Sequence, residues 1–423
     1  MKRALRIPGI TRRDFLKTSA LAAIGGRIPV GPLFALERGT DRTADRLRKG
    51  GMTYRRLGRT ELMVSEISLG GSPPPSETVF LKAIEMGVNY VDTSSSYSGG
   101  NSERLIGRVI KGRRNTFHVA TKFHFYGGWR DTRDALIREA EGSLRRLQTD
   151  YLDILLIHNL SDARVAEHEE VLAAFEQLKR QGKIRYTGVS CHQDPVNVLT
   201  PVMKGGQYDM ITVAYNAYSG TPWEEGSGSD GSPEGYGIGK VLALAKERGV
   251  GVVAMKTMAG GQREDLAALL AEGVSLPQAK LKWVLRNDAV SAVITEMDTF
   301  DMLKENLAAS GKPLTIAENR SLKRYVEATG RDVCRLCGIC VAGCPSGIAI
   351  PDILRCLQYE RDYGKSGLAR NTYRTIPASA TARGCTRCGQ CERSCPFGVR
   401  IGLRLRRADR ILSWNAGAGR PDS

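Results

Sequence analysis

Leu152-Asp153-Ile154-Leu155-Leu156-Ile157-His158-Asn159 is a short apolar run that ends on two polar residues. Runs of the same kind recur at 66–70, 89–93, 117–121, 184–189, 209–214, 250–255 and 290–294. Between and after them lie longer amphipathic stretches, near 76–87, 101–111, 132–148, 166–181, 194–204, 238–249, 276–287 and 299–309. Eight strands alternating with eight helices over about 250 residues is the length of a (β/α)8 TIM barrel, an α/β fold. A doubly wound open sheet has the same alternation. No Gly-x-Gly-x-x-Gly follows the first strand, which weighs against it. Ahead of the barrel, Tyr54-Arg55-Arg56-Leu57, Gly58-Arg59-Thr60 and Glu61-Leu62-Met63-Val64-Ser65 read as a hairpin. The barrel is therefore placed at 53–314, with a second domain over 315–423.

That second domain carries Cys334-x2-Cys337-x2-Cys340-x3-Cys344-Pro345 and Cys385-x2-Cys388-x2-Cys391-x3-Cys395-Pro396. Each repeats the bacterial ferredoxin spacing, in which the fourth cysteine ligates the other cluster. Cys334, Cys337, Cys340 and Cys395 are thus assigned to one [4Fe–4S] cluster, and Cys385, Cys388, Cys391 and Cys344 to the second. Zinc takes its ligands as two pairs rather than two runs of four, and disulfides are the other bland reading. Cys191 and Cys356 lie outside the runs and read as small buried side chains. A helix over 315–330 leads into the first run, and the insert from Ile350 to Tyr373 reads as helical, with stops near Gly364 and Pro377.

The formal net charge of +17 invites a nucleic-acid reading. The excess sits at the two ends, +8 over 1–50 and +9 over 331–423, while 51–330 is neutral. No large basic face follows, and nucleic acid is not expected as a partner. Arg400, Arg404, Arg406 and Arg407 have helical spacing and read as a solvated face, or as a docking patch for an acidic electron partner or lipid. Thr11-Arg12-Arg13-Asp14-Phe15-Leu16-Lys17 resembles the twin-arginine export signal, followed by a weakly apolar stretch too short to span a membrane. The resemblance implies export of a folded, cofactor-loaded protein by the twin-arginine translocase, to the periplasm or another extracytoplasmic site. Residues 1–36 are read as this signal, cleaved or kept as an anchor, and 37–52 as a charged linker.

Reactive residues of such a barrel sit at the C-terminal ends of its strands. Those ends read Asp92-Thr93 with Tyr97 close behind, Thr121-Lys122, His158-Asn159 and Ser190-Cys191-His192. Together with Ser102-Glu103-x-x-Leu-Ile-Gly107 and Lys183-Ile-Arg-Tyr-Thr-Gly-Val-Ser190, they make the stretch 53–310 resemble the aldo/keto reductase superfamily. The resemblance implies a tetrad of Asp92, Tyr97, Lys122 and His158. Tyr97 is the general acid at a carbonyl oxygen, Lys122 lowers its pKa, Asp92 holds Lys122, and His158 orients the substrate. Taken singly, a strand-end Asp caps a helix and a Tyr packs.

On the cofactor side the resemblance assigns Ser190, Cys191, Thr212, Met255, Lys256, Glu296 and Asn306. Cys191 and Thr212 replace the usual Asn and Gln. Glu296 and Met302 fall where the superfamily clamps a 2′-phosphate, so NAD(H) is favoured over NADP(H) if a dinucleotide binds. His124 and Trp129 line the pocket or serve the structure, the loop 216–239 with Trp223 is a substrate lid or a plain surface loop, and His118 and His168 carry no functional assignment. The tail resembles the dicluster module attached to some aldo/keto reductases. The leading expectation is an oxidoreductase of a small carbonyl or alcohol substrate, with two [4Fe–4S] clusters passing electrons to a redox partner protein. The alternatives are an NAD(P)H-dependent reductase with structural clusters, and a non-catalytic electron carrier.

Overall fold

The computed structural model describes residues 45–125, 131–219 and 237–413. The twin-arginine stretch, Trp129, Trp223 and most of the 216–239 loop lie outside them. The chain opens with an antiparallel three-stranded sheet of β1 (Arg46–Lys49), β2 (Met52–Arg56) and β3 (Met63–Ser65). The charged stretch read as a linker thus contributes a strand, Arg46 pairing with Arg55 and Lys49 with Met52.

Eight parallel strands then close a barrel: β4 (Ile67–Gly70), β5 (Tyr90–Asp92), β6 (His118–Phe123), β7 (Leu152–Ile157), β8 (Ile184–Cys191), β9 (Met210–Ala214), β10 (Gly251–Met255) and β11 (Ala292–Thr295). β11 pairs back onto β4, Thr295 opposite Leu69, so no edge is left open. The strands run apolar because both faces are covered. One face fills the barrel with Tyr90, Ala120, Ile154, Leu156, Met210, Val253 and Ala292, and the other packs on the helices.

The N-terminal sheet is a plug for the barrel floor. Leu57, Leu62 and Val64 pack into the interior cluster, and the Arg59 N–H bonds the Gly249 carbonyl at 2.6 Å. Gly58 has φ +57°, and a Cβ there would stand 2.1 Å from the Gly251 nitrogen, so only glycine fits. Beneath the floor, Arg55 donates to Glu66 at 2.8 Å and to the carbonyls of Val290 and Leu285, while Glu66 also accepts from Ser310 at 2.9 Å. Both side chains are buried. Removing Glu66 strands a buried guanidinium, so Glu66→Ala should lower unfolding stability by about 3–5 kcal/mol. Urea melts followed by near-ultraviolet dichroism check this, and the double variant Arg55→Met/Glu66→Leu should recover most of the loss.

The tail has its own core. Ile348, Ile353, Leu357, Tyr373, Val399, Ile401, Leu405 and Leu412 pack together with the cysteines at its edge. Helices Ile350–Arg361, Ser366–Arg374 and Ile401–Leu412 supply it. The expected connecting helix is present as Ile316–Thr329, started by a Thr315–Glu318 capping box. No helix among the described residues is long and apolar enough to cross a membrane.

Candidate active site and thiol rings

Three strand ends bring the proposed tetrad together. Asp92 closes β5 and Lys122 lies in β6, and their side chains form a buried ion pair. Lys122 Nζ also donates to the Thr93 carbonyl at 2.6 Å and stands 5.2 Å from the centre of the Tyr97 ring. His158, one residue beyond β7, meets Tyr97 edge-on with ring centres 5.5 Å apart. Its Nδ1 is 3.1 Å from the Ser94 hydroxyl, and the His124 ring packs 4.5 Å away, which places His124 beside the site.

The motif Ser102-Glu103 fastens this arrangement rather than reacting. Ser102 Oγ donates to the Gly71 carbonyl at 2.8 Å and meets Thr93 Oγ1 at 2.7 Å. Glu103, fully buried, accepts from Thr121 at 2.5 Å and from Arg146 at 2.6 Å. Both anchors act on the residue next to a tetrad member, so the helix Asn101–Ile110 fixes where β5 and β6 end.

Burial sets the protonation states. It pushes the Asp92 carboxyl up, opposed by Lys122 and by the Thr212 hydroxyl. Burial, then Lys122, then His124, Arg355 and Lys256 hold His158 well below the usual imidazole value, so the ring is neutral. In the tautomer in which Ser94 donates to Nδ1, the other nitrogen carries the proton and can donate to a substrate oxygen. Tyr97 departs from expectation. Burial, Asp92 and Tyr359 push its hydroxyl well above the ordinary phenol value, and the cation that opposes them is Arg355. Lys122 is engaged by Asp92 and the Thr93 carbonyl instead.

The residues assigned to a dinucleotide are buried or paired within the protein. Ser190 Oγ accepts from the Asn159 N–H at 2.9 Å. Cys191 is fully buried, its thiol 3.0 Å from the Gln193 carbonyl and pushed up to about 12 by burial. Thr212 is buried inside the barrel, Met255 is 7% exposed, and the Asn306 amide turns toward the Glu296 carbonyl at 3.5 Å. The remaining two meet the tail. Lys256 donates to Tyr359 Oη at 2.6 Å, and its ammonium lies 4.3 Å from the Tyr359 ring centre. Glu296 pairs with Lys365 at 2.5 Å, and Lys365 also pairs with Asp298. Between these, the Gly260 N–H donates to Asp362 at 3.0 Å. The tail thus lies on the C-terminal end of β10 and the loop after β11.

None of the ten cysteines is in a disulfide. The eight motif thiols form two rings. Cys334, Cys337, Cys340 and Cys395 surround one space, with Pro351, Phe397, Val399 and Ile401. Cys344, Cys385, Cys388 and Cys391 surround a larger one of about 310 Å³, with Arg387, Arg400 and Arg406. Each space is thus bordered by three cysteines of one run and the fourth of the other. Both runs wind alike: Leu336 and Arg387 have φ 58° and 61°, Gly338 and Gly389 have φ 81° and 72°. No three His, Cys, Asp or Glu among the described residues converge on a single-ion point. Thiols set around a space rather than a point suit a cluster several ångströms across, and four thiols are its donor set. Burial pushes Cys334 up to about 12, a shift that the positive charge of a bound metal would oppose.

Sequence reasoning missed Arg355, Tyr359, Asp362 and Lys365, the tail residues that meet the barrel. The one available signal was Arg355 and Tyr359 at i, i+4 on a helix, which puts both on one face.

Comparison with known proteins agrees with this geometry. The profile of the aldo/keto reductase family matches residues 70–266, and that of the 4Fe-4S dicluster domain matches residues 333–400. The uncharacterized oxidoreductase YqkF of Bacillus subtilis is 28% identical over 318 residues, covering 65% of this chain and 97% of that protein. The holo form of the aldo-keto reductase AKR11C1 from Bacillus halodurans superimposes with TM-score 0.52 at 26% identity, over 65% of this chain and 96% of its own. An aldo-keto reductase from Klebsiella pneumoniae in complex with NADPH does so with TM-score 0.50 at 26% identity, over 64% and 93%. Residues 70–266, which match the aldo/keto reductase profile, lie within the closed (β/α)8 barrel, and residues 333–400, which match the 4Fe-4S dicluster profile, carry the two cysteine runs.

Proposed function

We propose that the protein is an oxidoreductase of carbonyl and alcohol groups in which Tyr97 moves the proton and two [4Fe–4S] clusters carry the electrons. One observation carries this reading. The helix Ile350–Arg361 borders the first thiol ring at Pro351 and meets the barrel mouth at Tyr359. Pro351 to Arg355 is about 6 Å of helix, so cluster and tetrad would be close neighbours. The same segment and its extension occupy Lys256 and Glu296, two of the residues that the resemblance assigns to a dinucleotide, and the Gly260 N–H between them.

In this reading the neutral His158 donates to the substrate oxygen and orients it. Tyr97 gives that oxygen a proton in reduction. Lys122, held by Asp92, lies 5.2 Å from the Tyr97 ring centre, and Arg355 is the cation that favours the phenolate side of the exchange. When bound, the clusters would supply one-electron chemistry, one electron each; reduction of a carbonyl to an alcohol takes both electrons, the Tyr97 proton at oxygen and a second proton, from solvent, at carbon. The second ring, with Cys388 exposed at its rim, is the exit toward a redox partner protein. Export by the twin-arginine translocase belongs to the same proposal, because it delivers a protein whose clusters are already in place.

The second reading is an NADPH-dependent reductase with structural clusters, favoured by the NADPH complex of the Klebsiella pneumoniae relative. The expected preference for NAD(H) is not carried forward. It rested on Glu296 as a free carboxylate, and Glu296 is answered by Lys365. Iron and sulfide counting with nucleotide extraction on one preparation separates the two readings. About eight irons per chain and no extracted nucleotide support the first, together with dye-linked turnover without added nucleotide. Stoichiometric NADP(H), with turnover only in its presence, overturns it.

A further inference from the structure

The helix Ile350–Arg361 brings a charge to the barrel mouth that the tetrad does not use. Arg355 lies four residues before Tyr359, so both side chains leave the same face, and Tyr359 is fixed on Lys256. Arg355 is 9% exposed. One of its terminal nitrogens meets Asp352 of its own helix at 2.8 Å, whereas its Nε is buried with no hydrogen-bond partner. Nδ1 of His192, after β8, is also buried and without a partner. A guanidinium is built to give paired donors to one oxyanion, and a buried donor left unmade is costly.

The charges are out of balance in the same direction. Lys122, Lys256 and Arg355 all bear on His158 and His192 and help keep both rings neutral. Lys122 is answered by Asp92 and Lys256 by the Tyr359 phenol, which its ammonium and Arg355 draw below the ordinary value against the effect of burial. Arg355 has only Asp352, itself 23% exposed at the side chain. Buried positive charge in excess of its partners is relieved when an anion arrives.

We propose that Arg355 and His192 form an oxyanion-binding subsite beside Tyr97 and His158, and that the substrate is an alcohol or carbonyl compound bearing a carboxylate or phosphate group near the reacting carbon. The inference rests on the carbonyl/alcohol reading for what happens at that carbon, but the subsite is a binding statement and is tested by binding. The full chain with both clusters is titrated with lactate, methyl lactate, glycerol 3-phosphate and glycerol, following tryptophan fluorescence and the unfolding temperature.

At least one anion should bind saturably, while its uncharged counterpart binds at least tenfold more weakly. A preference for lactate or for glycerol 3-phosphate distinguishes carboxylate from phosphate. Arg355→Met should abolish the difference, and Arg355→Lys, which keeps the charge and loses the fork, should weaken binding about tenfold. Iron content and circular dichroism establish that each variant is folded, and Arg355→Lys serves alone if Arg355→Met is not. Equal binding of charged and neutral probes, binding of none, or anion affinity unchanged in the folded variants overturns the subsite. Arg355-dependent anion binding in a protein that turns over no carbonyl or alcohol would instead sink the catalytic reading and leave the subsite standing.

Discussion

Replacing Tyr97 by Phe should cut dye-linked turnover by about 10³-fold, within the 10²–10⁴ that a positioned proton donor contributes, while leaving both clusters and the fold intact. The size of the effect follows from the surroundings. Tyr97 sits between the neutral His158 and the Asp92–Lys122 pair, and burial holds its proton on at any working pH. It is therefore an acid by default, and the charge that develops on its oxygen during transfer is met by Arg355. Phe keeps the ring that packs on His158 and removes only the proton. KM should move little, because the substrate oxygen still meets His158. Turnover in Tyr97→Phe within tenfold of the parent would show that proton transfer lies elsewhere, with Tyr359 on Lys256 as the group to examine next.

The second large effect concerns the crossed cysteines. Cys395→Ala lies in the second run but should destroy the first cluster, and Cys344→Ala lies in the first run but should destroy the second. Each should lower iron by about half, to one [4Fe–4S] cluster per chain. Their consequences should differ. The first ring shares Pro351 with the helix that reaches the barrel, and its loop is tied to the barrel by the Asp194 N–H on the Leu336 carbonyl at 2.9 Å. The second is lined by Arg387, Arg400 and Arg406, with Cys388 exposed. Cys395→Ala should abolish turnover to any acceptor. Cys344→Ala should retain turnover with a small dye that reaches the first cluster and lose it with a protein acceptor. Paramagnetic resonance and iron analysis read both. If each variant lost the cluster of its own run, the assignment of Cys344 and Cys395 would be reversed.

The barrel was legible because its signal is local and repeated: each apolar run had to be a strand buried on both faces, and Asp92, Lys122 and His158 could be placed simply by reading strand ends. The crossed thiols were legible because spacing alone sets which cysteines one loop can wrap. What the sequence hid was the docking of one domain on the other. Arg355, Tyr359, Asp362 and Lys365 are ordinary residues for a helix and its exit, and nothing local says that Lys256 or Glu296 will be their partners. Two assignments failed for the same reason. Glu296 was weighed as a free carboxylate and Lys122 as the cation that tunes Tyr97, but each is spent on a partner too distant in sequence to foresee. Cys191 is buried in β8, as its place outside the cysteine runs implies, and Thr212 is buried in β9.

The most direct test of electron passage between barrel and tail needs no assay of product release. The protein with both clusters is reduced with dithionite, freed of excess reductant, and mixed anaerobically with a panel of 2-oxo acids and simple aldehydes, with no nucleotide present. The visible absorbance of the oxidised clusters should return on mixing with at least one of these carbonyls, in step with formation of its alcohol, and should not return in Tyr97→Phe. Clusters that stay reduced while the same carbonyl is converted on addition of NADPH would contradict the account.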